Sequence, residues 1–151
     1  EGGDLLSPCR RLLVIASEDI GLAYPQAAAI TNACVEAALK LGLPEAAIPL
    51  SEAVIMLATA PKSNSAYMAY ANAKADIDAG RGANVPTHLR DKTTPSDSVK
   101  AAKYIYPHGH PNNYVKQQYL PDDLTDRRYY TYGDNKQEKA AEEYWRRIKD
   151  K

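Results

Sequence analysis

From Ser7 to Gly82 the apolar positions recur every three or four residues, and no stretch alternates with a period of two. That spacing predicts helices joined by short turns. The first helix is expected from Ser7 to Gly21. Ser7 offers a side-chain oxygen to the free N–H groups of the first turn, Pro8 fits the first helical position, and Gly21 accepts the left-handed conformation that ends a helix. Leu12, Leu13, Ala16 and Ile20 form its apolar stripe. A second helix is expected from Pro25 to Leu41, ending at Gly42, with Ile30, Cys34, Ala37 and Leu41 on one face. It is mostly alanine, so neighbours can come close, which places it in the middle of a bundle. Pro44 opens a third helical stretch, and Pro49 within it lacks a backbone donor, which predicts a kink or a fresh start. From Ser51 to Ala60 the run is apolar nearly all round, the pattern of a helix buried on most sides. Ala60-Pro61-Lys62-Ser63-Asn64 breaks the periodicity. Ser63 then caps a fourth helix, with Ala66, Tyr70, Ala73 and Ile77 inward and Lys74, Asp76 and Asp78 outward. Gly80 and Gly82 end it.

Beyond Ala83 the pattern dissolves. Up to Gly133 the chain is rich in Pro, Asn, Asp, Thr and Tyr, with few periodic apolar positions. Val85–Arg90 suggests one helical turn and Ser98–Lys103 a short helix. Tyr104-Ile105-Tyr106 and Gln117–Leu120 read as extended. So long a loop in a compact chain packs on something, and tyrosines can supply that packing while their hydroxyls stay near water. A last helix is expected over Lys136–Lys149, with Ala141, Tyr144, Trp145 and Ile148 along one side. Glu142 and Glu143 stand four residues before Arg146 and Arg147, the favourable order for helix-surface ion pairs. The expected fold class is all-α: a helical bundle or array, then a long Tyr/Pro-rich irregular wrap, then a C-terminal helix. At 151 residues a single domain is the expectation.

Composition changes this picture little. Hydrophobic residues make up 44% and charged residues 25%, as in ordinary globular proteins, and the formal net charge is +0. Nothing global therefore draws the chain to nucleic acid or anionic lipid. No apolar run approaches a membrane span and no signal-peptide pattern opens the chain, so a cytosolic setting is expected. Cys9 and Cys34 sit in apolar helical stretches and read as reduced core residues. The chain opens Glu-Gly-Gly-Asp without methionine, which points to a piece of something longer.

Candidate chemistry is sparse. There is no phosphate loop, no dinucleotide fingerprint and no nucleophile elbow. His108-Gly109-His110 offers two ligands where a zinc site needs three or four, so no metal is expected. Ser17-Glu18-Asp19 puts two carboxylates in the last turn of a helix, against the dipole, so a partner must compensate them. They are either surface acids held by Lys or Arg, or a buried polar anchor. Adjacent helix positions diverge by about 100°, so the two acids do not converge as a catalytic pair. Lys62-Ser63-Asn64 reads as a helix cap. No catalytic residue emerges. Arg127 and Arg128, beside Tyr129 and Tyr130, are candidate contacts to single-stranded DNA, although Asp122, Asp123 and Asp126 weaken the local field.

Several strings together resemble one family: Arg10-Arg11-Leu12, Ile15-Ala16-Ser17-Glu18-Asp19-Ile20-Gly21-Leu22-Ala23, Pro25-Gln26-Ala27, Ala53-Val54-Ile55, Leu57-Ala58, Ala60-Pro61-Lys62-Ser63-Asn64 with Tyr67, Val85-Pro86-Thr87-His88-Leu89-Arg90 and Gln118-Tyr119-Leu120-Pro121. The chain is similar to the C-terminal part of the replication-associated recombination protein A family (RarA, also called MgsA). These are AAA+ ATPases related to clamp loaders and to the Werner helicase-interacting protein. The resemblance implies an N-terminal ATPase module, holding ATP and Mg, that lies outside this chain. It implies a helical region that assembles a homotetramer. It implies action at replication forks in the bacterial cytoplasm, at the nucleoid, with DNA and single-stranded DNA-binding protein as partners and no membrane. Ser17, Glu18, Asp19, Lys62, Ser63, Asn64, His88 and Arg90 fall in its strings and are expected to be structural anchors. One departure follows Arg90. Where the family carries Asn-Ala-Pro-Thr-Lys-Leu-Met and a Gly-Tyr-Gly turn, this chain reads Asp91-Lys92-Thr93-Thr94-Pro95-Ser96-Asp97-Ser98.

Three functions compete on these grounds. The first is a non-catalytic oligomerisation module of a fork-associated ATPase. The second is a single-strand-binding module using Arg127 and Arg128. The third is an enzyme using Glu18, Asp19 and Lys62, which lacks a nucleophile–base pair.

Overall fold

A computed structural model describes residues 4–90 and 103–149. It is helical, with no strand among the described residues. The α-helices are α1 (Leu6–Ile15), α2 (Ala27–Leu41), α3 (Ala47–Thr59), α4 (Ser65–Asp78) and α5 (Lys136–Lys149). The contacts group the chain into two compact units, one of residues 1–70 and 130–142, the other of residues 71–129 and 143–151. Among the described residues no helix is long and apolar enough to cross a membrane.

In the first unit α1 begins at Leu6, one residue ahead of Ser7, and the side chain of Asp4 takes over the capping: its Oδ1 accepts the Leu6 N–H at 3.0 Å. After Ile15 the helix widens into a π-helical turn, Ala16–Ile20, and then a short 3-10 turn, Gly21–Ala23. The stripe survives that change of pitch, since Leu12, Ala16 and Ile20 are buried and Leu13 half-buried. Leu12, Ala16 and Ile20 join Ala27 and Cys34 of α2 with Ala53 and Leu57 of α3 in one core. The α2 helix lies against both α1 and α3, as its small residues predict. Its buried face is Ala27, Thr31, Cys34, Val35 and Ala38, and Leu41 is left 56% exposed. Cys9 and Cys34 are both buried free thiols, and burial pushes the Cys34 thiol up from its ordinary value.

Pro49 neither kinks nor restarts α3. It is the third helical residue, where the missing N–H would have had no intrahelical acceptor. The greater departure is burial. Pro49, Ala53 and Leu57 are buried, but Ile48 is 72%, Ile55 63% and Val54 49% exposed. An apolar run long enough to be covered on most sides is covered on one.

In the second unit, α4 turns a different face from the one its pattern suggests. Asp76 is buried, whereas Ile77 is 65% exposed. The helix ends in a Schellman turn: Arg81 N–H donates to the Asp76 carbonyl at 3.0 Å and Gly80 N–H to that of Ile77 at 2.9 Å, with Gly80 at φ +79°. Among its described residues the wrap forms short 3-10 turns, Thr87–Leu89, Pro107–Gly109, Pro111–Asn113 and Asp122–Leu124. Tyr104-Ile105-Tyr106 runs extended, and Gln117 serves it as a backbone would. Its Oε1 accepts the Ile105 N–H at 3.2 Å and its Nε2 donates to the Ile105 carbonyl at 2.8 Å. The helix expected at Ser98–Lys103 lies outside the described residues apart from Lys103, and so does the departure after Arg90.

The bounds of α5 are those predicted. Glu143 accepts from Arg147 at 2.7 Å and from Arg146 at 2.5 Å. Trp145 packs edge-on to Tyr114, with ring centroids 6.0 Å apart.

Candidate functional site

Two strings far apart in sequence meet in the first unit. The Ser63 N–H donates to the Asp19 carbonyl at 2.8 Å. Gly21 sits against the same loop so closely that a Cβ there would lie 2.6 Å from the Ser63 carbonyl oxygen, at φ +46° and ψ −129°. Only glycine takes that conformation without strain. Asp19 thus meets the loop through its backbone carbonyl, and the residue itself is exposed. Lys62 meets the chain through its side chain. Its Nζ donates to the carbonyls of Ala60 at 2.6 Å and Leu57 at 2.9 Å, closing the C-terminal end of α3 with a positive charge. Ser63 Oγ accepts the Ser65 N–H at 3.3 Å, the capping role expected of it, and Asn64 is exposed beside it.

Behind this loop lies a group that periodicity did not flag. Glu138 is only 2% exposed. Its Oε1 accepts the hydroxyls of Ser65 at 2.5 Å and Tyr130 at 2.8 Å, and its Oε2 accepts from Asn135 Nδ2 at 2.5 Å. Burial pushes this carboxyl up, but donors from Ser63, Ser65, the Gly133 N–H and Asn135 outweigh it and hold the group at about 2. Burial first, then the hydrogen bond to the Glu138 carboxylate and its charge, push the Tyr130 phenol up in turn. Asn135 also caps α5, because its Oδ1 accepts the Glu138 N–H at 3.0 Å. Asn followed three residues later by Glu is a legible start signal.

Beside the loop, α1 and α3 enclose a groove of about 780 Å³ with Leu12, Ile15, Val54, Leu57 and Ala58 as its apolar walls and Asp19, Lys62, Ser63 and Asn64 at its rim. Ser17 and Glu18 face a second, shallower recess with Arg10 and Tyr67.

The second unit holds its own buried carboxylate. Asp76 accepts two bonds from Arg127, at 2.6 and 2.9 Å, one from Arg81 at 3.0 Å and one from the Tyr129 hydroxyl at 2.9 Å. The Arg127 hydrogen bonds, with help from Tyr129 and Arg81 and against the opposing effect of burial, hold it at about 2. The guanidinium of Arg127 is thereby engaged by Asp76, although the residue stays exposed. His88 Nε2 lies 2.7 Å from the Gln118 carbonyl, and Arg90 Nε donates to the Val85 carbonyl at 2.8 Å, so both pin the wrap. Among the described residues no group of three or more His, Cys, Asp or Glu could hold a metal.

The geometry is thus one of anchors, a groove and uncovered apolar side chains. Known proteins explain the pattern of strings. The family model described as MgsA AAA+ ATPase C terminal matches residues 1–149. The chain belongs to this family. It is 50% identical over 132 residues to replication-associated recombination protein A of Bacillus subtilis, covering 86% of this chain and 31% of that protein. The Escherichia coli protein of the same name is 36% identical over 132 residues, covering 85% and 30%. ATPase WRNIP1 of Dictyostelium discoideum is 34% identical over 126 residues, covering 82% and 14%. This member of the MgsA family therefore spans less than a third of the length of these relatives, and its matched region is the C-terminal part of an AAA+ ATPase.

Proposed function

We propose that this chain is the oligomerisation module of a replication-fork AAA+ ATPase and holds four copies together. One observation carries the reading. The first unit leaves Ile48, Ile55 and Val54 of α3, with Leu41 and Leu43 ahead of it, largely uncovered. Scattered apolar residues on a surface need no explanation, but a cluster on one helix and its leading turn does. Obligate interfaces resemble a core cut in half and bury more than about 2,000 Å². The relatives' names, with replication and recombination in them, give the setting.

ATP and Mg²⁺ belong, in this reading, to the part of the whole protein outside this chain, which has no phosphate loop of its own to cradle them. Contacts with forked DNA and with single-stranded DNA-binding protein, in the bacterial cytoplasm at the nucleoid, belong to the whole protein too. The second reading, a single strand laid on Arg127, Arg128 and nearby tyrosines, has less to work with, because Asp76 occupies the Arg127 guanidinium. The double variant Ile48→Asp/Ile55→Asp tests the assembly reading. Sedimentation should give a folded monomer where the parent gives an oligomer. An oligomer of unchanged size would remove α3 from the interface.

A further inference from the structure

We infer that the outer face of α1 is the seat of the module that precedes this region in the whole ATPase. The inference rests on the family membership and is independent of the assembly reading.

The α1 helix has two opposite faces. Cys9, Leu12 and Ala16 go into the core. On the other side Leu6, Arg10 and Val14 follow one another at four-residue spacing, as positions on one side of a helix do. Leu6 is 62% and Val14 37% exposed, and Tyr67 of α4, 46% exposed, shares a recess with Val14. Two open recesses run along this face, one of about 640 Å³ at Leu6 and Arg11 and one of about 440 Å³ at Tyr67 and Glu18. Arg10 and Val14 line both, so the surface is continuous.

The face also carries charges that the first unit leaves unanswered. Arg81, Arg127, Arg146 and Arg147 each pair with a carboxylate. Among the described residues Arg10 and Arg11 form no salt bridge, and neither does Glu18. Glu18 sits in the π-helical turn that follows α1, where a carboxylate opposes the helix dipole. The cation that it calls for lies outside these residues.

What covers this face follows from where the rest of the protein joins. The matched family model is the C terminal part of an AAA+ ATPase, and the chain covers 31% and 30% of the two bacterial relatives, so most of such a protein comes ahead of this region. That polypeptide enters the first unit at Asp4, whose carboxylate caps α1. Leu6 and Arg10 are the first outward positions that it meets, and the face continues to Glu18 over about 18 Å of helix. A tethered module reaches such a face at an effective concentration that a separate partner does not. Composition fits the same occupant. Interfaces between domains of one chain are moderate in size and more polar than obligate ones. The α1 face mixes Leu6, Val14 and Tyr67 with two guanidinium groups and a carboxylate, whereas α3 exposes Ile48, Val54 and Ile55. The module's matching surface is then partly apolar, with carboxylates facing Arg10 and Arg11.

Cysteine accessibility tests this. Val14→Cys and Tyr67→Cys should react quickly with a maleimide in this chain. In the whole protein both should react about tenfold more slowly, as expected of a face that is open about a tenth of the time. Mass spectrometry of the peptides reads each site separately, with the buried thiols of Cys9 and Cys34 as internal references. Adding Arg10→Glu and Arg11→Glu, both exposed positions whose effect on folding circular dichroism checks, should return most of the reactivity in the whole protein. Equal rates in the two proteins overturn the inference. Slow labelling in this chain alone, relieved by dilution, also overturns it, because a second copy then covers the face. Protection that survives the charge reversal overturns the part given to the arginines. A chain that is monomeric by light scattering overturns the assembly reading and leaves this inference standing, so the two failures are distinct.

Discussion

Glu138→Ala should be among the most destabilising single substitutions in this chain, lowering unfolding free energy by roughly 3 kcal/mol. The carboxylate is buried and receives Ser65, Tyr130 and Asn135 at once. Alanine removes the acceptor and leaves three donors without their partner in a largely buried place, which costs more than a single lost bond. At this chain length the loss corresponds to a fall in melting temperature of roughly 6–12 °C, readable by circular dichroism. The pH dependence identifies the cause. The group is held at about 2, against 4.5 in a free chain, so the folded state favours its charged form. Its contribution is complete above about pH 4.5 and disappears as pH falls toward 2. The gap between parent and Glu138→Ala should therefore be widest near neutral pH and narrow through that window. A gap that stayed constant with pH would mean that alanine acts through lost packing alone.

Gly21→Ala should cost about as much, for a steric reason. The new Cβ would lie 2.6 Å from a backbone carbonyl oxygen, in a chain conformation at φ +46° that side chains rarely adopt. Backbone strain of this kind costs about 1–3 kcal/mol by itself, and the Ser63 loop cannot retreat without breaking its bond to the Asp19 carbonyl. Gly42 supplies the comparison. It too has positive φ, +70°, but nothing lies within 4 Å of its missing Cβ. At ψ 175° it lies in a region that essentially only glycine populates, so Gly42→Ala should cost backbone strain alone, about 1–3 kcal/mol, without the added clash. Denaturant unfolding of the two variants should rank Gly21→Ala well below Gly42→Ala. Equal midpoints would show that the close approach to Ser63 contributes nothing.

These two positions also mark what the chain disclosed in advance. Helix order and the bounds of α5 follow from the 3.6-residue period, and Gly42 and Gly80 end helices as glycines do. The strings around Asp19 and Ser63 were recognisable as belonging together, but only their backbone bond says why. Faces were harder. Asp76 and Glu138 are charged, so periodicity turned Asp76 outward and left Glu138 unremarked. The partners that bury them lie far along the chain, Arg127 51 residues from Asp76 and Ser65 73 residues from Glu138. No local window holds both members of either pair. The Asn135–Glu138 cap was within one turn and could have been read. Pro49 misled because a proline in the first helical turn and one in the middle look alike until the start of the helix is fixed. The apolar run of α3 misled in a more useful way. A pattern apolar all round does not by itself place cover on every side: α3 buries Pro49, Ala53 and Leu57 and leaves Ile48 and Ile55 exposed.

The assembly account stands or falls on mass. Light scattering on the purified chain at micromolar concentration should give four times the 16.6 kDa of one copy. A single copy, stable across a dilution series, would contradict it, and the exposed isoleucines of α3 would then need another explanation.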